Sequence, residues 1–299
     1  SRISDSAAAA VGAVLPIAAM CFTFFIALNM AGCTLAARSL GANKATDTAR
    51  IFGVLMYACA AVGLVMAACL ILLAPMFASV MGLVGESAAM GTTYLHTLGF
   101  GVLLLALRYG FSGIFQAYGL THWNMLATLA MTVVNGVLNY ALVTGSWGFP
   151  ALGVQGIAIA TVTAWGVNLS LSAFIVMAYL KIAVQWRFNW AGLKQSLDDL
   201  LRIAIPSCLE PLSWHISQLV IMAMVVSLGE YSLAARVYAF QIIFCVIIFT
   251  IALSAGVQLK ISHFYGAGRN ACMQNPLFKS VRAGIAIIVA ILATTAIFA

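Results

Sequence analysis

Among the seven acidic residues of this sequence, Glu210 alone falls inside an apolar run long enough to cross a membrane. The run opens Ile205-Pro206-Ser207-Cys208-Leu209-Glu210-Pro211-Leu212-Ser213-Trp214-His215-Ile216-Ser217-Gln218. An ionisable side chain in such a segment is costly, and its default reading is a functional site. Trp214 and Gln218 follow Glu210 at i+4 and i+8 and share its helical face, with His215 further round. Pro206 and Pro211 each remove a backbone donor and loosen the helix around the acid. Glu210 lies eight residues past Arg202. At 1.5 Å per residue that is about 12 Å into a hydrocarbon core of about 30 Å, so the carboxylate is expected buried in a polar cavity. The alternative is a carboxylate that snorkels or pairs with a neighbouring helix. A second polar pair, Asn135 and Asn139, lies one turn apart on one helix face, where both can point into one cavity or bond across helices.

The elements that must hold these groups are membrane helices. The chain has 299 residues, 64% hydrophobic and 7% charged, against about a quarter charged in soluble domains. Eight spans are drawn, at about 7–37, 51–75, 92–117, 123–145, 153–180, 202–228, 232–259 and 281–299. The net charge of +7 does not point to nucleic acid, because the cations are distributed among short loops. Arg38, Lys44 and Arg50, then Lys181, Arg187, Lys194 and Arg202, then Lys260, Arg269, Lys279 and Arg282 occupy alternate loops, which the positive-inside rule makes cytoplasmic. Arg108 lies within the third span and is read as structural, snorkelling or bonding backbone carbonyls. The seven cysteines show no CxxC spacing and sit mostly in apolar spans, so they form neither a metal site nor a disulfide framework.

Three units are expected: an N-terminal lobe at 1–180, an interfacial linker at 181–200 carrying Trp186, Phe188 and Trp190, and the start of a C-terminal lobe at 201–299. An internal repeat supports two lobes. A shift of 225 aligns Asp5 with Glu230, Ile26-Ala27-Leu28 with Ile251-Ala252-Leu253, and Gly41-Ala42 with Gly266-Ala267. The repeated spans are expected to run in the same direction, related by a pseudo-twofold axis roughly along the membrane normal.

These residues resemble the multidrug and toxic compound extrusion (MATE) family. Ala36-Ala37-Arg38-Ser39-Leu40-Gly41-Ala42 looks like the end of the family's second helix. Asn135-Gly136-Val137-Leu138-Asn139-Tyr140, Gly145, Gly148-Phe149-Pro150-Ala151-Leu152-Gly153-Val154-Gln155-Gly156 and Ala158-Ile159-Ala160-Thr161 resemble its helix five–six segment. Pro206 to Glu210 is similar to the opening of helix seven in one branch. The resemblance covers essentially the whole chain as helices two to nine of twelve, so the sequence is read as a fragment, beginning at Ser1 and ending within an apolar run at Ala299.

The resemblance implies an all-α polytopic membrane protein, a two-lobe helical bundle. It implies a secondary antiporter that exports amphipathic or cationic organic compounds in exchange for protons or sodium. Glu210, Asn135, Asn139, Gln116, Trp214, His215, Gln218 and Thr161 are the predicted ion-coupling and substrate-binding residues, with sodium at Glu210 the one metal considered. No cofactor is expected beyond the coupling ion, H+ or Na+. The expected partners are small-molecule substrates and the lipid bilayer, with no nucleic acid, in a monomer of a bacterial inner membrane.

Two departures shift weight toward Glu210. Gln116-Ala117-Tyr118-Gly119-Leu120-Thr121-His122 lacks the Arg and Asp of the family's loop after helix four. Asn139 stands where many relatives carry Asp, and an amide can ligate sodium but cannot carry a proton. A lipid-linked saccharide flippase of the wider superfamily is the runner-up, and it would want a more cationic cavity than Arg108 and Arg236 supply. The sequence contains neither HExxH nor Gly-x-Ser-x-Gly, so no enzyme is expected.

Overall fold

A computed structural model of the chain describes residues 5–186, 190–226, 230–269, 278–286 and 289. Among these the regular structure is helical: α1 Asp5–Gly41, α2 Ala45–Leu72, α3 Ala74–Val80, α4 Gly85–Ala117, α5 Thr121–Thr144, α6 Gly153–Phe174, α7 Trp190–Val226 and α8 Glu230–Gly266, followed by a helical segment at 278–286. A π turn, Ile175–Tyr179, extends α6. Six stretches among the described residues are long and apolar enough to cross a membrane: Val14–Gly41, Ala45–Leu72, Gly85–Ala117, Thr121–Thr144, Gly153–Tyr179 and Ile247–Gly266. Most of the predicted span 281–299 lies outside the described residues.

Two boundaries differ from the sequence reading. The second span was expected to reach residue 75, but α2 stops at Leu72. Pro75 falls in the first turn of α3, where a missing N–H costs nothing, and it cannot donate to the last turn of α2. The stretch 181–200 divides. Its first part lies against α2, where Tyr57 Oη donates to the Trp186 carbonyl at 2.8 Å and the Gln185 amide donates to the Ala49 carbonyl at 3.0 Å. From Trp190 onward it is already α7, which continues through Pro206 and Pro211 without a break in its helical residues.

Contacts group the chain into two units, Ser1–Cys33 with Ala49–Cys208, and Thr34–Thr48 with Leu209–Ala299. In the first unit, small residues let helix backbones approach closely, as is usual where lipid provides no hydrophobic drive. Gly101 of α4 packs on Val162 of α6, and Gly63 of α2 on Ala106 of α4. The α5–α6 hairpin shows why its glycines are where they are. Gly145 caps α5 at φ 70°, in the left-handed region that a side chain disfavours. A Cβ on Gly156 would stand 2.9 Å from the Leu142 carbonyl oxygen, a group that also accepts the Leu152 amide at 2.8 Å.

In the second unit the end of α1 packs on α8. Gln258 Nε2 donates to Thr34 Oγ1 at 3.0 Å, and the Arg38 guanidinium lies 5.1 Å from the centre of the Tyr265 ring. Gly41 abuts the His263 carbonyl and Gly266 abuts the Arg38 carbonyl. Contacts advance in the same sense along both segments, from Thr34–Gln258 to Arg38–Tyr265, so the segments run parallel, as the repeat predicts. The shift of 225 that aligns Gly41 with Gly266 also carries Arg38 onto His263, so the two glycine contacts are pseudosymmetric mates.

Candidate functional site

In the first unit a polar cluster sits in the seam between α5 and α6. These helices run antiparallel out of the Gly145–Leu152 turn, which sets Asn135 of α5 opposite Thr161 of α6. Asn135 Nδ2 donates to Thr161 Oγ1 at 3.4 Å, Asn139 Nδ2 donates to Asn135 Oδ1 at 3.0 Å, and Thr161 Oγ1 donates back to the Ile157 carbonyl at 2.9 Å. The chain of bonds ends on one atom without a partner: Asn139 Oδ1 is buried and accepts nothing. An amide oxygen taken out of water and left unpaired costs free energy, about 1–3 kcal/mol. The same oxygen is a good hard ligand for a cation and a good acceptor for a polar substrate hydrogen. Three of the predicted site residues are thus brought together.

The others are placed differently. Gln116 Nε2 donates to Ser112 Oγ at 3.0 Å, one turn back on its own helix α4. In the second unit, Gln218 Oε1 accepts a 2.7 Å bond from Arg236 Nη2, joining α7 to α8. Trp214 is 48% exposed and His215 half-buried. Glu210 was expected to be buried and is exposed. The reason is the register of α7: Glu210 shares its helical face with Ser213, Trp214 and Ser217, at i+3, i+4 and i+7, and all of them are exposed.

Sequence reasoning passed over several polar groups inside the helices. Asn29 of α1 is 5% exposed and donates from Nδ2 to the Tyr109 carbonyl of α4 at 2.7 Å. Asn168 of α6 is fully buried; its Oδ1 accepts from Ser172 Oγ at 3.4 Å while its Nδ2 has no partner. The available signal was their residue type within apolar spans. Arg108 was expected to snorkel or bond backbone carbonyls; its guanidinium instead lies 4.6 Å from the centre of the neighbouring Tyr109 ring, and its Nε is buried without a hydrogen-bond partner. Among the described residues no group of three or more His, Cys, Asp or Glu side chains could hold a metal ion.

The MatE family model matches residues 1–141 and 206–299, well over half of the chain. The chain belongs to the MatE family. Its members are membrane transporters rather than enzymes, and this member is a multi-pass integral membrane protein. An uncharacterized transporter of Bacillus subtilis, YisQ, is 27% identical over 280 residues, 92% of this chain and 62% of YisQ. A FAD transporter of Shewanella oneidensis is 29% identical over 180 residues, 60% of this chain and 40% of that protein. A probable multidrug resistance protein NorM of Streptococcus pneumoniae is 28% identical over 161 residues, 54% of this chain and 36% of that protein. The chain therefore spans less than two thirds of the length of these relatives. A crystal structure of MATE in complex with MaD5 superposes with a TM-score of 0.88 at 20% identity, over 99% of this chain and 66% of that one, which establishes the MatE fold.

Proposed function

We propose that this MatE protein is a secondary antiporter of a bacterial plasma membrane. It exports amphipathic or cationic organic compounds in exchange for protons or sodium and acts as a monomer. The observation that carries this reading is the buried, unpartnered Oδ1 of Asn139 at the end of the Asn135–Thr161 chain. What adds weight is its place: the open oxygen ends a bonded chain that bridges α5 and α6. The similarity to a NorM multidrug resistance protein supports the substrate class.

The chemistry divides between two kinds of group. The α5–α6 cluster consists of amides and a hydroxyl, which bind a cation or a polar substrate group without exchanging protons. Glu210 is a carboxylate of α7, in the stretch 202–228 that the sequence marks as a span but that is not among the six membrane-length stretches of the described residues. Its charge state alters the energy of any arrangement that exposes or covers it. Binding of sodium, if sodium is the coupling ion, draws on the first; proton coupling draws on the second.

The test is export of a cationic dye from vesicles holding the purified protein, under an imposed proton gradient and, separately, a sodium gradient. Gradient-driven export that collapses with the matching ionophore supports the antiporter. Dye movement indifferent to both gradients would contradict it.

A further inference from the structure

We propose that the cleft between α8 and the 278–286 helix holds the phosphate headgroup of an anionic phospholipid from the cytoplasmic leaflet. The cleft has a volume of about 510 Å³, within the range of ligand-sized sites. Leu253, Gly256, Val257 and Ala283 form its apolar wall, and Lys260 and Lys279 stand at its mouth.

The two helices are antiparallel here. The space above Gly284 is met by Leu253 Cδ2 at 3.7 Å, deep in the cleft, while Lys260 lies further along α8 and Lys279 earlier in the following helix. Both ammonium groups therefore belong to the same, loop-side end. From Lys260 to Ala252 the wall extends eight residues, about 12 Å at 1.5 Å per residue. The result is an amphiphile's outline: two positive charges at one end and an apolar trough leading from them into the bilayer.

Charge complementarity identifies the occupant. No Asp or Glu occurs anywhere from residue 231 to 299, while Arg236, Lys260, Arg269, Lys279 and Arg282 do. The two lysines lining the cleft are exposed. Two cations beside apolar surface at the cytoplasmic side of membrane helices recognise phospholipid headgroups, each worth enough to sort anionic from zwitterionic lipid. The small side of Gly256 leaves the trough open to a chain lying against α8: nothing comes within 4 Å of a Cβ built there.

The site is separate from the amide cluster of the α5–α6 seam, and its test does not depend on transport. Purified, delipidated protein is titrated with phosphatidylglycerol, phosphatidylcholine or inorganic phosphate, and bound adducts are counted by native mass spectrometry. Wild type is expected to retain phosphatidylglycerol in preference to phosphatidylcholine. Lys260→Gln with Lys279→Gln is expected to weaken phosphatidylglycerol roughly thirtyfold, the effect of two near-surface lysines. Lys260→Arg with Lys279→Arg keeps the charges and is expected to keep the lipid. Melting temperatures in pure detergent should agree among all three, so that loss of lipid is not loss of fold. Equal retention of the two lipids by wild type, or undiminished phosphatidylglycerol on the double Gln protein, would overturn the proposal. So would displacement of the lipid by inorganic phosphate, which would assign the lysines to a soluble anion.

Discussion

Gly266 lies against the carbonyl oxygen of Arg38 so closely that a methyl group on its Cα would overlap that oxygen. Its repeat mate, Gly41, stands in the same relation to the carbonyl of His263. The obstacle in each case is backbone, which cannot swing aside as a side chain can. Gly266→Ala and Gly41→Ala should each destabilise the protein by about 1–3 kcal/mol, the usual cost of overpacking. Gly256→Ala, with open space above it, should be close to neutral. Thermal unfolding in detergent distinguishes them; a Gly266→Ala protein melting with the wild type would contradict the close crossing.

Asn139→Asp should make transport depend on pH. The amide at this position does not titrate, whereas a carboxyl is neutral below its pKa and charged above it. The substituted acid would sit at the open end of the Asn135–Thr161 chain, where the charged form binds a cation more strongly. The prediction is a new pH-dependent step in dye export, with a sodium dependence that strengthens as pH rises. Identical pH profiles for the two proteins would remove Asn139 from the site.

Thr161→Val removes the hydroxyl that accepts from Asn135 while retaining side-chain shape. It leaves the Asn135 amide without a bond across the seam. Loss of about 1 kcal/mol of stability is expected from the hydrogen bond alone. A drop in export larger than the drop in the amount of folded protein would show that the hydroxyl also serves binding. Export that falls only in step with folded protein would make Thr161 a packing residue.

Gln218 and Arg236 form a charge-assisted bond at 2.7 Å between α7 and α8. Gln218→Leu should cost about 1.5–3 kcal/mol, as bonds to charged groups do. A double-mutant cycle with Arg236→Met measures the coupling directly. A coupling near zero would mean that Arg236 relies on its other contacts instead.

What could be read from the sequence follows from how local each signal is. The α5–α6 hairpin was legible because its information is short-range: two apolar runs, 123–145 and 153–180, flank a short uncharged loop, and Asn135 and Asn139 share a face by spacing alone. The left-handed Gly145 and the carbonyl close to Gly156 showed only in the structure. The parallel α1–α8 pairing was legible through the repeat, since a shift of 225 carries one glycine contact onto the other. Asn29, Asn168 and the exposure of Glu210 were not. Burial there depends on which helix from far along the chain faces which side, as when α4 supplies the Tyr109 carbonyl to Asn29, and helical spacing does not encode that choice. The start of α7 at Trp190 was hidden for a different reason. The helix begins in a polar, tryptophan-bearing stretch that looks interfacial and becomes apolar only later.

Antiport is the central claim, and Glu210 is its titratable group. The decisive measurement is dye export by wild-type and Glu210→Gln protein in the same vesicles, under a proton gradient and then a sodium gradient. The amide keeps the size and hydrogen-bonding capacity of the carboxyl but cannot ionise. The account predicts a folded Glu210→Gln protein, with the wild-type melting temperature, that no longer couples export to the gradient wild type uses, and a Glu210→Asp protein that retains part of it. Export by Glu210→Gln at the wild-type rate under both gradients would contradict the account and leave Glu210 a surface group of α7.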